Sequence, residues 1–202
     1  MGEQMRGNIY QFIVMVNEIE PTIWRRILVP KDYSFWDLHV AIQDAMGWQD
    51  QHLHLFIFKE HGEEIEIGIP DNGDFRDNPD ILPGWDTPIA EYFHRPGVVC
   101  NYLYDFGDGW EHKVVLEDTL SQKEDQKYPK CIDGARACPP EDCGGVPGYC
   151  HLLEVLADRR HEEHKEMTHW LGGKYSPEDF SPENVEFDDP RERWRQAFAE
   201  DV

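Results

Sequence analysis

The sequence predicts an α+β protein with a mainly antiparallel or mixed sheet, and three observations support this. Strand-like apolar alternation fills the first part of the chain, helical periodicity dominates residues 151–202, and the strand–helix alternation of a parallel core is absent. With 202 residues, 40% of them hydrophobic, the chain is long enough to bury one sizeable core. We therefore interpret residues 1–202 as a single domain with a Cys/Pro/Gly-rich loop at 121–150 and a helical C-terminal portion at 151–202.

The chain begins in the order β-β-α-β-β. Residues 8–19 and 22–30 are rich in β-branched and aromatic side chains and predict two strands paired as a hairpin. Ser34 and Asp37 form a capping-box pattern that starts a helix, and Gly47 is suited to end it. The elements predicted next are strands at 51–60 and 63–70, a loop at 71–86, a short helix at 88–93, and a hairpin formed by 98–106 and 109–117.

After the cysteine-rich loop, apolar residues again follow the spacing of an α-helix. Residues 149–157 and 162–170 predict two helices, the second of which stops at Gly172-Gly173. Trp194 and Phe198, four residues apart, predict a short amphipathic helix near the end of the chain.

The charge of the chain narrows the classes of partner. A formal net charge of −22 repels a phosphate backbone, so the composition disfavours direct nucleic-acid binding and favours a basic protein as partner. No signal peptide precedes the first strand, and no apolar run has the length of a membrane span. The sequence predicts a cytoplasmic protein.

Four cysteines lie within one twenty-residue segment, at Cys131, Cys138, Cys143 and Cys150. A reducing cytosol disfavours disulfides, so zinc is the first ligand to consider for clustered thiols. Four thiolates, or three thiolates with His151, could bind the ion. The usual pair of two-residue knuckles is missing, and buried thiols in a loop shaped by proline and glycine explain the pattern equally well.

A second set of candidate residues lies around the later hairpin. Asp105, Asp108, Glu111 and His112 fall within a few positions of a tight turn, where they could hold a metal or do acid–base chemistry. The sequence favours the simpler alternative, in which the acids bind turn amides and the aromatics build the core.

His52 and His54 would share one face of the third predicted strand, where they could chelate a metal together with His112. Without a third ligand in the sequence, a structural role is favoured for them. Phosphate-loop and serine-nucleophile motifs are absent, and residues 161–169 depart from the zinc-protease pattern because Lys165 replaces its second histidine. No catalytic signature is therefore recognised.

Several motifs resemble the plasmid pRiA4b ORF-3-like protein family. They are YDFGDxWEH at 104–112, RACPPEDCGG at 136–145, HLHxF at 52–56 and PTIWRRILVP at 21–30. The resemblance covers nearly the whole chain and implies a compact α+β fold. Its members occur in bacteria and archaea, some on plasmids or mobile elements, which implies a role near DNA transactions but assigns no catalytic residue.

Two functional hypotheses follow. The first is a cytoplasmic accessory or protein-interaction module, linked to plasmid or mobile-element biology and stabilised by zinc in the cysteine loop. The alternative is a metal-dependent hydrolase or nuclease-like enzyme. Its site would join five residues: His52, His54, Asp105, Asp108 and His112.

Overall fold

A single eight-stranded sheet organises the chain in the computed structural model, which describes residues 8–60, 62–70, 81–173 and 175–198. The strands are β1 (Ile9–Val16), β2 (Trp24–Pro30), β3 (His54–Glu60), β4 (Glu63–Gly68), β5 (Leu82–Pro83), β6 (Val99–Tyr104), β7 (Trp110–Leu120) and β8 (Lys130–Ala135). Their order is β5-β4-β3-β6-β7-β1-β2-β8, and every pair is antiparallel except β4 with β5. The predicted α+β class is confirmed.

Five helices complete the described fold: α1 (Phe35–Met46), α2 (Ile89–Tyr92), α3 (Gly145–Ala157), α4 (His164–Trp170) and α5 (Pro190–Phe198). A single 3-10 turn, Pro182–Asn184, precedes α5. Most of the loop predicted at 71–86 lies outside the described residues, since these omit 71–80. Within the part of the chain that the structure describes, we find no helix that is both long and apolar enough to cross a membrane.

Helix α1 forms as its sequence predicts. Ser34 accepts a hydrogen bond from the Asp37 backbone N–H, while the Asp37 carboxylate accepts one from the Ser34 backbone, so both arms of the capping box are present. Gly47 ends the helix in the left-handed conformation at φ 92°. Ten of the twelve helical residues are buried, so α1 covers the sheet as the central helix of the core.

Aromatic side chains fill the space between the sheet and its covering helices. The Phe35 ring lies 5.0 Å from that of Phe56 on β3, and the Phe93 ring lies 4.7 Å from that of Phe12 on β1. All four rings are fully buried. Burial of such side chains is the main favourable contribution to folding here.

Arg25 and Arg26 lie on opposite faces of β2, as adjacent strand residues must. Arg25 is 1% exposed and donates to the carbonyls of Ala45 on α1 and Ala135 on β8. Its guanidinium lies 3.6 Å from the centre of the Phe180 ring. These contacts satisfy a buried charge and join α1, β8 and the C-terminal segment.

The structure differs from the sequence interpretation mainly around the cysteines. Residues 130–135 form the edge strand β8, and α3 begins at Gly145 rather than near Tyr149. Only the middle of the predicted 121–150 loop, from 136 to 144, connects those two elements. Pairing with β2 explains β8, because its own residues carry no clear strand pattern.

Candidate functional site

Three connections meet at one end of the sheet: residues 47–53 before β3, 105–109 between β6 and β7, and 136–144 before α3. The indole N–H of Trp48 donates to the Pro139 carbonyl at 3.0 Å. The backbone N–H of Gln49 donates to Glu141 at 2.8 Å. These bonds fix the cysteine-rich connection against the sheet.

Glycines bring that connection directly onto the β6–β7 turn. The Gly144 N–H donates to the Asp108 carboxylate at 3.0 Å. A Cβ placed on Gly145 would lie 2.3 Å from the Asp108 carbonyl oxygen, so only glycine fits this contact. The connection therefore packs beside the hairpin formed by β6 and β7.

His52, Asp105 and Asp142 converge in this region, one from each connection. The His52 Nε2 atom lies 3.0 Å from Asp142 Oδ1 and 3.6 Å from Asp105 Oδ2. Each residue offers one ligand atom, and all three atoms lie within 4.8 Å of one another. Across the described ranges, no other group of three or more His, Cys, Asp or Glu side chains meets this condition.

The buried Nε2 atom of His52 makes no hydrogen bond despite its distance of 3.0 Å from a carboxylate oxygen. Two ligands of one ion, each about 2.1 Å from it, lie about 3.0–3.4 Å apart in octahedral or tetrahedral geometry. The distance to Asp142 Oδ1 is within that range, and the distance to Asp105 Oδ2 is slightly longer. The three atoms are therefore close enough together to bind one ion.

The backbone holds both carboxylates in unusual conformations. Asp105 has φ 55° and Asp142 has φ 54°, in the left-handed region, which aspartate adopts more readily than most residues other than glycine. Asp105 Oδ1 accepts the backbone N–H groups of Gly107 and Asp108, which fixes the carboxylate and leaves Oδ2 directed at His52.

Glu141 supports the same site from the neighbouring position. Its Oε1 accepts from the Tyr104 hydroxyl at 3.0 Å as well as from Gln49. Its buried Oε2 has no hydrogen-bond partner among the described residues. Burial raises the pKa of Tyr104, and the negative charge of Glu141 raises it further, so this hydroxyl keeps its proton and remains a donor.

A cavity of about 250 Å³ adjoins the triad, with Asp142 in its wall. Cys143, His151 and Trp170 also line it. The His151 Nε2 atom lies 2.9 Å from a carboxylate oxygen of Glu163, which orients the imidazole. A substrate held in this cavity would therefore meet both the triad and a histidine positioned by a carboxylate.

No three of the four clustered thiols, all of which the structure describes, have their sulfur atoms within 4.8 Å of one another. Cys131 lies in β8, Cys150 lies in α3, and all five cysteines of the chain are free. Burial raises the pKa of Cys131 and Cys138, and burial with the charge of Asp108 raises that of Cys143 to about 12. These three thiols are thus protonated at neutral pH and are poor nucleophiles.

The other predicted residues give no ligand atom to the triad. Asp108 uses its carboxylate to hold Gly144, and Glu111 is exposed on β7. His54 is buried and stacks on His39 with ring centres 3.4 Å apart. The structure therefore brings together two of the five residues proposed for the hydrolase, His52 and Asp105.

His112 is fully buried, and its Nδ1–H donates to the Tyr102 carbonyl at 3.2 Å. Burial lowers the pKa of His112 to about 4. The unfolded chain takes up this proton below pH 6.5, whereas the folded protein does so only near pH 4. The free energy of unfolding should therefore fall between pH 6.5 and 4, by on the order of 3 kcal/mol from this group.

Urea unfolding across that pH range checks the expectation. His112→Asn keeps a donor for the Tyr102 carbonyl and removes the titration, so the loss of stability below pH 6.5 should be smaller in this variant. His94→Asn, at an exposed histidine, should retain the full loss. A variant at position 112 with the same pH slope as the parent protein would contradict the assignment.

Sequence reasoning missed Asp142 and Glu163. Asp142 lies between two cysteines, whose thiols are the more obvious ligands, although an acid beside a Gly-Gly pair is a signal for a constrained turn. Glu163 lies in a run of charged residues that is typical of a solvated helix surface. Both meet their partners only through tertiary contacts.

Comparison with known proteins gives a match at the level of the whole chain. The family described as "Plasmid pRiA4b ORF-3-like protein" matches residues 8–184. The chain is 33% identical over 199 residues to "Uncharacterized protein y4hQ" from Sinorhizobium fredii (strain NBRC 101917 / NGR234). That alignment covers 94% of this chain and 96% of the relative.

A crystal structure also resembles the fold. It is that of MM3350, a protein of unknown function from Methanosarcina mazei Go1, with a TM-score of 0.79 and 41% sequence identity. The match covers 89% of this chain and 98% of the other.

Proposed function

The chain belongs to the plasmid pRiA4b ORF-3-like protein family, whose compared relatives carry no assigned activity, and we propose its function from the site itself. We propose a metal-dependent hydrolase that holds a divalent ion, zinc or manganese, with His52, Asp105 and Asp142. One imidazole with two carboxylates is a donor set suited to these ions.

The convergence of the three ligand atoms is the observation that carries this proposal. They come from connections far apart in the chain and meet within 4.8 Å, at distances of 3.0 and 3.6 Å from the histidine nitrogen. The histidine nitrogen lies within 4 Å of both carboxylates, and neither contact has the geometry of a hydrogen bond.

The number of protein ligands favours a catalytic ion. Structural zinc sites usually have four protein ligands, whereas catalytic sites have three and leave a position for water or substrate. The Asp142 side chain is 63% exposed and lies in the wall of the cavity, so solvent reaches the ligand set from that side.

The chemistry of hydrolysis follows from this arrangement. A zinc ion held by these residues would lower the pKa of a bound water to about 7 and so supply the nucleophile. His151, oriented by Glu163 in the same cavity, would accept the proton that this water loses and pass it to the leaving group. The charge of −22 disfavours polyanionic substrates, so we expect a neutral or cationic ester or amide.

Hydrolysis assays test the proposal. The substrates are nitrophenyl acetate, an aminoacyl nitroanilide and bis-nitrophenyl phosphate, and each is offered to the metal-free protein and to the zinc- or manganese-loaded protein. Turnover of the ester or the anilide should require the metal and should fall at least tenfold in His151→Gln. His94→Gln, at an exposed histidine outside the cavity, is the matched control. Metal binding without turnover of any substrate would rule out the hydrolase.

The second candidate is an accessory module in which an ion only fastens the connection at 136–144. The acidic composition favours it, since a charge of −22 suits contact with a basic protein. It predicts that chelation lowers the melting temperature and that no substrate is turned over. A cytoplasmic location and a link to plasmid or mobile-element biology remain predictions under either candidate.

A further inference from the structure

A second cleft, away from the triad, is lined by tryptophans. Its volume is about 520 Å³, and its walls include Trp36 from α1, Trp85 from the segment before α2, and Trp194 from α5. The Phe198 ring centre lies 5.4–5.5 Å from each of the three indoles and so holds them around it. We call this feature the tryptophan cleft.

Three different elements build the tryptophan cleft, and polar contacts fix their positions. The Trp36 indole N–H donates to the Pro190 carbonyl at 2.9 Å, which ties the start of α1 to the start of α5. Arg193 on α5 forms ion pairs with Asp44 at 2.7 Å and Asp50 at 3.4 Å. Helix α5 is therefore anchored, although Trp194 itself remains 37% exposed.

Carboxylates surround the mouth of the cleft. Asp32 and Asp86 are exposed, and neither has an ion-pair partner among the residues that the structure describes. Of the two arginines in the lining, Arg195 is paired with Glu192, which leaves Arg191. The uncompensated charge at the mouth is thus negative, in agreement with the charge of the whole chain.

The same carboxylates lie close to the neighbouring residue Tyr33. Burial raises the pKa of Tyr33, and the charges of Asp37, Asp32 and Asp189 raise it further. Tyr33 lines an adjoining depression that shares Asp32, Asp37 and Arg191 with the tryptophan cleft. A cation entering from this side would be attracted before it reached the indoles.

We propose that the tryptophan cleft binds an arginine side chain presented by a basic segment of a partner protein. Indole faces attract cations, and tryptophan is the most effective aromatic residue in this role. Guanidinium is planar, weakly hydrated and stacks on aromatic rings, so it fits these walls better than a compact ammonium group. The carboxylates at the mouth would pair with further basic residues of the same segment.

Binding of two short peptides tests this proposal. One has three arginines alternating with glycine, and the other has citrulline, which keeps the planar shape without the charge, at the same three positions. Calorimetry with the full chain at low salt should detect the arginine peptide and not the citrulline peptide. Equal binding of both peptides, or binding of neither, would overturn the proposal.

Variants locate the binding site. Trp194→Ala and Trp85→Ala should each weaken the arginine peptide by about three- to thirtyfold, the range of one cation–π contact. Trp194→Phe keeps an aromatic face and should retain more affinity than Trp194→Ala, which separates the contact from the packing of α5. Trp170→Ala, at an indole that is 48% exposed in the wall of the cavity beside the triad, is the control and should leave affinity for the arginine peptide unchanged.

Charge variants complete the test. Asp32→Asn combined with Asp86→Asn should weaken the arginine peptide at low salt, and the difference from the parent protein should shrink at high salt. Full affinity in Trp194→Ala and Trp85→Ala, or a loss in Trp170→Ala as large as in those two, would show that the peptide binds elsewhere.

Discussion

Replacing His52 by alanine should remove stoichiometric zinc from the protein and leave the fold intact. His52 supplies the only nitrogen of the proposed ligand set, and its loss leaves two carboxylates, which hold the ion weakly. We expect the metal affinity to fall by roughly a hundredfold or more, since even changes behind the ligands cost 10–100-fold. Because the side chain is 29% exposed and its buried nitrogen makes no hydrogen bond, the loss of stability in the metal-free protein should be about 1 kcal/mol or less.

Elemental analysis after dialysis and calorimetric titration with zinc give the two readouts. Cys150→Ser is the matched control, because it removes an exposed thiol that belongs to the cysteine set and not to the triad. If Cys150→Ser lost the metal and His52→Ala kept it, the ion would belong to the cysteines. Asp142→Asn should behave like His52→Ala.

Replacing Gly145 by alanine should cause the largest loss of stability among the changes considered. Gly145 has φ 66°, and the new methyl group would lie 2.3 Å from the Asp108 carbonyl oxygen, a backbone atom that cannot rotate away. The conformation costs about 1–2 kcal/mol and the clash about 1–3 kcal/mol more. We expect the melting temperature to fall by roughly 5–15 °C for a chain of this size.

Gly172 offers a control with the same backbone strain. Its φ is 68°, and a Cβ at that position meets nothing within 4 Å, so Gly172→Ala carries the strain without the clash. Gly172→Ala should therefore lose only about 1–2 kcal/mol and keep full metal affinity. Gly145→Ala should also lose affinity, because it displaces the connection that carries Asp142. Equal melting temperatures in the two variants would contradict the packing of this connection on the turn.

Local signals in the sequence predict the elements of the fold well. The capping box at Ser34 and the left-handed Gly47 define α1, and the alternation of residues 8–19 and 22–30 defines the first hairpin. Each of these signals depends on a few neighbouring residues, so it can be recognised without knowledge of the tertiary structure. The adjacent arginines of β2 likewise lie on opposite faces, as strand geometry requires.

Non-local pairing explains what the sequence could not predict. Strand β8 exists because β2 offers it an edge, and the two residues of β5 pair with β4 in parallel. Both depend on neighbours distant in the chain. The clustered cysteines also indicate a thiol metal site in the sequence, although the structure places them in β8, in the following connection and in α3.

The candidate site could not be predicted from the sequence for the same reason. Its three ligands precede β3, follow β6 and precede α3, so their convergence depends on strand order and on the docking of the glycine-rich connection. The pair His52 and His54 appears equivalent in the sequence. In the structure the first reaches the carboxylates, and the second is stacked in the core, where burial and the charge of His39 hold its pKa well below the usual range.

Diffraction from zinc-soaked crystals, collected on both sides of the zinc absorption edge, tests the central claim most directly. We predict one anomalous peak about 2.1 Å from His52 Nε2, Asp105 Oδ2 and Asp142 Oδ1. A peak bound by Cys131, Cys138, Cys143 and Cys150, or no peak in a protein with zinc at full stoichiometry in solution, would contradict it.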